Sequence, residues 1–306
     1  MRPHYLLLAA TILCGSPCAA QQRDFSKVEI KVERLAPGVA VLFGAGGNIA
    51  LSYGVDGNLL VDDRFAPLTD RILAAVAKID PDPVKFVVNT HWHFDHTGGN
   101  ENLGKRGAVI VAHDNVRTRM TAGQFIAAAN TQVPPAPGAA LPVVTFTDGV
   151  TLHLNGDDIH VEHVAGGHTD GDSLVHWRRA NVLHTGDTFV RAGYPFIDIS
   201  SGGSIDGLIA AATRGLTFVN AGTRVIPGHG EVARREDYVA YRAMLIEVRG
   251  KVAAGIAARR SKAQIVAGKP AAAHPRPDGF ISADKFVEAV YDSLRSPPKK
   301  VAPHRH

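Results

Sequence analysis

The chain has 306 residues, 45% hydrophobic and 20% charged, which excludes a disordered or fibrous protein and implies a sizeable core. Its formal charge of +4 falls by one without Arg2, and much of the remaining excess sits in Lys299–His306. The basic balance therefore reads as a basic tail and scattered arginines, not as a groove for nucleic acid.

At the N-terminus, Arg2 and His4 precede the apolar run Tyr5–Leu13, and Cys18-Ala19-Ala20 supplies small residues before Gln21. A basic start, a short apolar stretch and a small-residue site predict a secretory signal cut near Ala20, hence a periplasmic protein. Leu13 before Cys14 and Pro17 before Cys18 suit lipid attachment poorly, so no stable membrane anchor is expected. Both cysteines fall inside this signal; the mature chain would carry neither a disulfide nor a thiolate ligand.

Short strands are expected over Val28–Arg34, Val39–Phe43, Asn48–Val55 and Asn58–Asp62, separated by Pro37-Gly38, Gly44–Gly47 and Asp56-Gly57. A helix begins near Pro67, with Ile72, Leu73, Val76 and Ile79 on one face. Asp80–Pro83 ends it and leads into strand Val84–Asn89. Strand Ala108–Ala112 and a helix over Asp114–Ala129 follow, and then the Pro/Ala/Gly-rich loop Val133–Pro142, a candidate flexible or site-edging segment before the second half. That half has strands Val143–Phe146, Val150–Leu154, Asp158–His163, Ser173–Trp177, Asn181–His184 and Thr223–Ile226, with helices Ile205–Val219 and Arg235–Arg259. Two similar halves, each a sheet covered by a helix and packed sheet to sheet, would place a site where their strand ends meet. Near the C-terminus, Ser282 opens a helix with Phe286, Val287, Val290, Tyr291 and Leu294 in an apolar stripe that reads as core packing. The organisation expected is a signal over 1–20, a main domain over 21–260, a helical extension over 261–296 and a disordered basic tail over 297–306.

The chemistry concentrates in His91-Trp92-His93-Phe94-Asp95-His96, directly after strand Val84–Asn89. Alternation along a strand sends His91 and His93 to one side, and Asp95 and His96 fall where the chain turns away. Neutral imidazoles and a carboxylate are the ligands of a zinc-like ion. Three later segments repeat the pattern of strand, glycine, then a ligand-type residue: Gly166-Gly167-His168-Thr169-Asp170-Gly171-Asp172, Thr185-Gly186-Asp187-Thr188 and Pro227-Gly228-His229-Gly230. The strand histidines His153, His160, His163 and His176 read instead as surface or core-edge residues.

The ordered set HWHFDH, GGHTDGD, TGDT and PGHG resembles the metallo-β-lactamase superfamily over roughly residues 28 to 260. That resemblance implies an α/β fold, a four-layer αβ/βα sandwich, here with a short helical C-terminal extension. It also implies two zinc ions: His91, His93 and His168 on the first, Asp95, His96 and His229 on the second, Asp187 bridging. Asp95 would orient a metal-bound hydroxide that attacks a small-molecule carbonyl substrate. His93 stands where the oxygen-reducing di-iron branch carries Glu, which argues against redox chemistry. Asp187 stands where β-lactamases of the family carry Cys or Ser, and an all-oxygen and imidazole set also suits iron or manganese. Asp62 and Asp63, with His184 and Thr169, are candidates to hold the ligand imidazoles by accepting their other N–H groups. Arg191 and Tyr194 are candidates for contacting a substrate carboxylate and ring. β-Lactam opening is the first substrate expectation, from GGHTDGDSLVHW and export; lactone, ester or thioester hydrolysis is the alternative, and a non-catalytic metal-binding protein a remote one. The oligomeric state stays open.

Overall fold

A computed structural model describes residues 24–126, 130–277 and 279–296. The expected signal (1–20), the basic tail (297–306) and the last residues of the helix expected to reach Ala129 lie outside them. The chain opens with β1 (Lys31–Ala36), β2 (Val39–Phe43), β3 (Ile49–Ser52) and β4 (Asn58–Val61), then α1 (Thr69–Ala77) and β5 (Val84–Val88). Two short helices, α2 (Phe94–Thr97) and α3 (Asn100–Gly104), precede β6 (Val109–His113) and α4 (Asp114–Ala122). There follow β7 (Gln124–Ile126), β8 (Thr131–Val133), β9 (Val144–Phe146), β10 (Gly149–Leu154), β11 (Asp157–His163), β12 (Ser173–Trp177) and β13 (Val182–His184). The remainder is α5 (Ile205–Leu216), β14 (Arg224–Ile226), α6 (Arg235–Ala257), α7 (Lys262–Ala267) and α8 (Ala283–Arg295).

One sheet runs β1-β2-β3-β4-β5-β6-β9, the other β10-β11-β12-β13-β14. Both begin as antiparallel ribbons and end in parallel pairs, β4-β5-β6-β9 in the first and β13-β14 in the second. The side-chain period of two explains how each strand serves two layers. In β2, Val39 and Val41 face the second sheet and meet Val161, Val175 and Trp177, whereas Ala40 and Leu42 face outward and pack with Ile72 and Val76 of α1. The second sheet repeats this, with Leu174, Leu183 and Val225 packed under α5 and α6. The result is the expected layering, helix on sheet on sheet on helix, and the strands carry the loops that hold the candidate ligands to one common edge.

The expected elements recur with ends moved by one to three residues, as hydrogen bonding rather than composition decides where a strand stops. Three expectations need correction. The helix from Asp114 stops at Ala122 because Gly123 turns to φ +69°, where a side chain would also meet the Val133 carbonyl at 2.8 Å; β7 and β8 then pair as a hairpin. The strand at 144–146 belongs to the first sheet, beside and parallel to β6, and not to the second half. Finally, the 133–142 segment does not edge the site: Ala136, Ala140 and Leu141 join the apolar cluster of Trp92, Pro134, Pro135 and Pro137 stay exposed, and Asn100 donates to the Ala140 carbonyl at 2.9 Å.

The C-terminal extension packs as the apolar stripe predicted. Phe286, Val287 and Val290 of α8 are buried with Tyr241 and Leu245 of α6, and the Ser282 side chain caps the helix by accepting from Lys285 N. No helix among the described residues is long and apolar enough to cross a membrane.

Candidate metal centre

The strand β5 ends at Val88, and the next residues deliver the site as a loop and the first turn of α2 rather than as a continued strand. His91 and His93 nonetheless converge, their rings T-shaped with centroids 4.9 Å apart, because His93 sits at the helix N-cap in extended conformation. His168 arrives from the loop after β11, Asp187 from the turn after β13 and His229 from the loop after β14. Facing donor atoms form three overlapping groups, His91–His93–His168, His91–His96–Asp187 and Asp95–His96–His229, within each of which all ligand atoms lie within 4.8 Å of one another. Asp187 spans them: Oδ1 is 3.2 Å from His96 Nε2, and Oδ2 is 3.4 Å from His229 Nε2 and 3.7 Å from His168 Nε2. Every residue expected to bind metal is therefore in one cluster.

Close backbone approach makes this possible at two glycines. A Cβ at Gly228 would lie 2.0 Å from Asp187 Oδ1, and one at Gly47 would lie 2.1 Å from the His96 ring. No other residue type fits at either point.

The proton bookkeeping shows what the cluster holds. His168 Nδ1 faces the Phe196 carbonyl at 2.8 Å and His93 Nε2 faces Asp198 Oδ2 at 3.1 Å, so each ring spends its proton on the acceptor behind it. The nitrogens left over, His93 Nδ1 and His168 Nε2, face each other at 2.8 Å. Two lone pairs at that distance repel unless a cation lies between them. Burial holds His168 down at about 4, so it does not supply that cation by taking up a second proton near neutral pH. His91 Nε2 is buried with no hydrogen-bond partner, and burial, then the neighbouring imidazoles of His96 and His168, push His91 well below the usual histidine range. Asp187 Oδ1 is likewise buried, facing His96 Nε2 at 3.2 Å. Orphaned nitrogen and oxygen lone pairs aimed at one point, with no thiolate, fit divalent metal ions of the zinc, iron or manganese kind.

On the other side of Asp187 the balance is reversed. Burial would depress His96 and His229, but the carboxylates outweigh it: Asp187 first, with Asp62 and Asp95, raises His96 well above its ordinary value, and Asp187 with Asp95 raises His229 to about 9. Burial would raise Asp187, yet His229 and His96 hold it well below the carboxylate range. Asp95 is held low in the same way by His96 and His229. Without metal this half of the cluster keeps its protons, which an arriving ion has to displace.

Of the residues expected behind the ligands, Asp62 is in place. Its Oδ2 takes His96 Nδ1 at 2.7 Å and Thr90 Oγ1 at 2.8 Å, and its Oδ1 accepts Thr90 N. Thr90 Oγ1 in turn lies 3.0 Å from His91 Nδ1. Asp62 achieves this aim at φ +63°, a left-handed conformation unusual outside glycine. The other three touch no ligand imidazole. Asp63 accepts from Gly99 N, and burial keeps its carboxyl well above the usual range. His184 braces the loops, with Nε2 on the Asn48 carbonyl at 3.1 Å and Nδ1 accepting Gly186 N. Thr169 donates to Asp172, whose carboxylate also accepts the His168 backbone N–H at 2.6 Å. Asp198, which orients His93, and the Phe196 carbonyl, which orients His168, were not anticipated; the one local hint is Ser200-Ser201 after Asp198, a pattern for an Asx-type turn in which Ser201 N donates back to the carboxylate.

A cavity of about 280 Å³ opens over the cluster, with His93, Asp95, Asp187 and His229 on its floor. Tyr194 lines it with its ring, although its hydroxyl is committed to the His274 carbonyl at 2.8 Å. Arg191 does not line it. Its guanidinium turns to the Val232 carbonyl at 3.1 Å and to Asp237 at 3.6 Å, so it cannot receive a substrate carboxylate in this arrangement.

Comparison with known proteins agrees with this geometry. The chain is 29% identical over 164 residues to a hydroxyacylglutathione hydrolase of Nitrosococcus oceani, a match covering 53% of this chain and 55% of that protein's length. It is 25% identical over 209 residues to the acyl-coenzyme A thioesterase MBLAC2 of Gallus gallus, covering 61% of this chain and 73% of the relative. Among solved structures, a metallo-beta-lactamase from Pontibacter korlensis superposes with a TM-score of 0.56 at 20% identity, over 71% of this chain and 99% of that one. A stereoselective inverting sec-alkylsulfatase from a Pseudomonas species superposes with a TM-score of 0.66 at 15% identity, over 90% of this chain and 52% of that one. At these identities the structural likenesses establish the fold. The model of the metallo-beta-lactamase superfamily matches residues 44–257, and with that match over most of its length the chain belongs to this superfamily.

Proposed function

We propose that the protein is a two-metal hydrolase of an ester or thioester carbonyl. The observation that carries this reading is the cluster itself: seven side chains from four separate segments bring their ligand-type atoms together, and Asp187 reaches both halves. His91, His93 and His168 would hold one divalent ion, Asp95, His96 and His229 the other, and Asp187 would touch both. Such ions supply Lewis-acid polarisation of a carbonyl and make water acidic enough to attack near neutral pH. The rest is the work of the chain. Asp62, Asp198 and the Phe196 carbonyl lock three imidazoles in the tautomer that presents a lone pair to the site. Asp95, a quarter exposed at the cavity floor, orients the attacking water. Before an ion arrives, His96 and then His229, the latter 3.4 Å away, keep the Asp95 carboxylate ionised.

Two relatives support an ester or thioester over other carbonyls, since their names are those of a hydroxyacylglutathione hydrolase and an acyl-coenzyme A thioesterase. β-Lactam opening is the second reading. The GGHTDGDSLVHW segment favours it, but among the described residues no Lys or Arg lines the cavity to receive a substrate carboxylate. The N-terminal stretch supports action outside the cytoplasm, a reading that fractionation and N-terminal sequencing of the mature chain would test.

The activity test is direct. Zinc-loaded protein is offered an acyl thioester, an aryl ester, an acyl-homoserine lactone and nitrocefin, each with and without chelator. Chelator-sensitive turnover of the ester or thioester is expected. Metal-replete protein that turns over none of the four would sink the hydrolase reading.

A further inference from the structure

The wall of the cavity has a different origin from its floor. It is made by Ile126 of β7, by Val190, Tyr194 and Phe196 from the loop after Asp187, and by Phe280 and Ile281 from the C-terminal extension. None carries a charge, and no Lys or Arg lines the cavity among the described residues.

The extension is fastened to this wall, not merely adjacent to it. Arg276 donates from Nε to the Gly193 carbonyl at 2.6 Å and from Nη2 to the Val190 carbonyl at 2.5 Å. The Tyr194 hydroxyl donates to the His274 carbonyl, and Tyr194 N donates to the Ile281 carbonyl at 3.3 Å. Gly193 and Gly279 touch backbone to backbone: a Cβ on Gly193 would lie 2.9 Å from Gly279 Cα. Phe280 then meets Phe196 edge to face at 5.9 Å between centroids, and Phe196 lies parallel to the His93 ring at 5.8 Å. Phe280 is nevertheless 65% exposed, a large aromatic surface left at the cavity mouth.

We infer that this wall is a subsite for an uncharged, apolar arm of the substrate, an alkyl or aryl group, and that the extension carrying Phe280 and Ile281 is a specificity element. The inference rests on the hydrolase reading for what is cleaved, but on the wall alone for what is bound. Apolar area leaving water is favourable, whereas a carboxylate seated on this wall would lose hydration and gain no cation in return. The cavity, slightly below the usual range of about 300–1,000 Å³ for ligand sites, limits the arm to a short chain or one ring.

The test uses metal-replete full-length protein and 4-nitrophenyl acetate, butyrate, hexanoate and monoglutarate, with a parallel series of alkyl acetates for the alcohol side. In one of the two series kcat/KM should climb by up to about fourfold per methylene until the cavity is full, and the monoglutarate should fall below the hexanoate. Phe280→Ala, at an exposed position, should flatten the climb, lowering kcat/KM for the hexanoate by a larger factor than for the acetate. Phe280→Arg should favour the monoglutarate over the hexanoate relative to the unaltered protein. Flat profiles in both series, or a slope unaffected by Phe280→Ala, overturn the proposal. If no ester is turned over, the hydrolase reading falls, and the subsite is read separately by titrating hexan-1-ol against ethanol. Hexanol-specific methyl shifts at Ile126 and Ile281 support it; no shift at either overturns it.

Discussion

The floor and the wall of one cavity are built on opposite principles. Beneath the floor, polar groups are almost wholly enclosed: His91, His96 and His168 are at most 1% exposed, and each has one ring nitrogen tied to an oxygen behind it. On the wall, apolar side chains from β7, the post-Asp187 loop and the extension meet without a hydrogen bond between side chains, and Phe280 stands largely in water. The floor has one workable arrangement, since a rotated imidazole leaves a buried polar group unpaired. The wall tolerates substitution, since an apolar side chain of similar volume still fills it. The chemistry should therefore be fixed and the substrate adjustable.

That contrast breaks most visibly at Asp187. Asp187→Ala removes the carboxylate shared by the two halves and should lower ester turnover by more than about 100-fold, beyond the effect of losing an orienting partner. Turnover within a few-fold of the unaltered protein would show that the halves act independently. Next is Asp198→Ala, which frees the His93 ring and should weaken metal binding by about 10–100-fold, measured by competition with a chromophoric chelator; an unchanged affinity would show that Asp198 positions nothing. Wall changes should be smaller and selective. Phe280→Ala should leave metal content unchanged and cost only the several-fold preference for longer substrates.

A position away from both regions provides the weakest effect and a control. His113 stacks on His163 with ring centroids 3.7 Å apart, and burial, then the His163 ring, lowers it to about 4. Its folded value lies below the unfolded value of about 6.5. The unfolded chain therefore binds more protons in between, and the contribution to stability is full above about 6.5 and is lost as pH falls toward about 4. His113→Asn, which keeps an acceptor for Asn115 N at the start of α4, should flatten the dependence of the melting temperature on pH across that window. A slope as steep as before would assign it to other groups.

How much of this could be read in the sequence follows the same division. The cage was legible because its ligands follow strands, three of them (His168, Asp187 and His229) directly beside glycine, so four short motifs carry all of it. Asp62 was legible as a carboxylate at a strand end. Asp198 was not: it acts from an irregular loop, and its role exists only because that loop folds back to His93. Arg191 misled because closeness in sequence to Asp187 suggested closeness in space. The chain turns between Val190 and Gly193 and sends the guanidinium to Asp237. The wall left no motif, for Ile126, Phe196 and Phe280 come from three distant segments and share only being apolar. Ile126 was further hidden by the expectation of a helix through to Ala129, where Gly123 was the signal for its end. Sheet membership of β9 escaped for a similar reason, since a three-residue strand carries no mark of its neighbour.

The central claim is that the floor is a cage for two ions. It is tested most directly by stripping the protein with chelator, dialysing it against excess zinc and then against metal-free buffer, and counting retained ions per chain. Two are expected, with Asp187→Ala retaining about one. A plateau at one or none in the unaltered protein would contradict it.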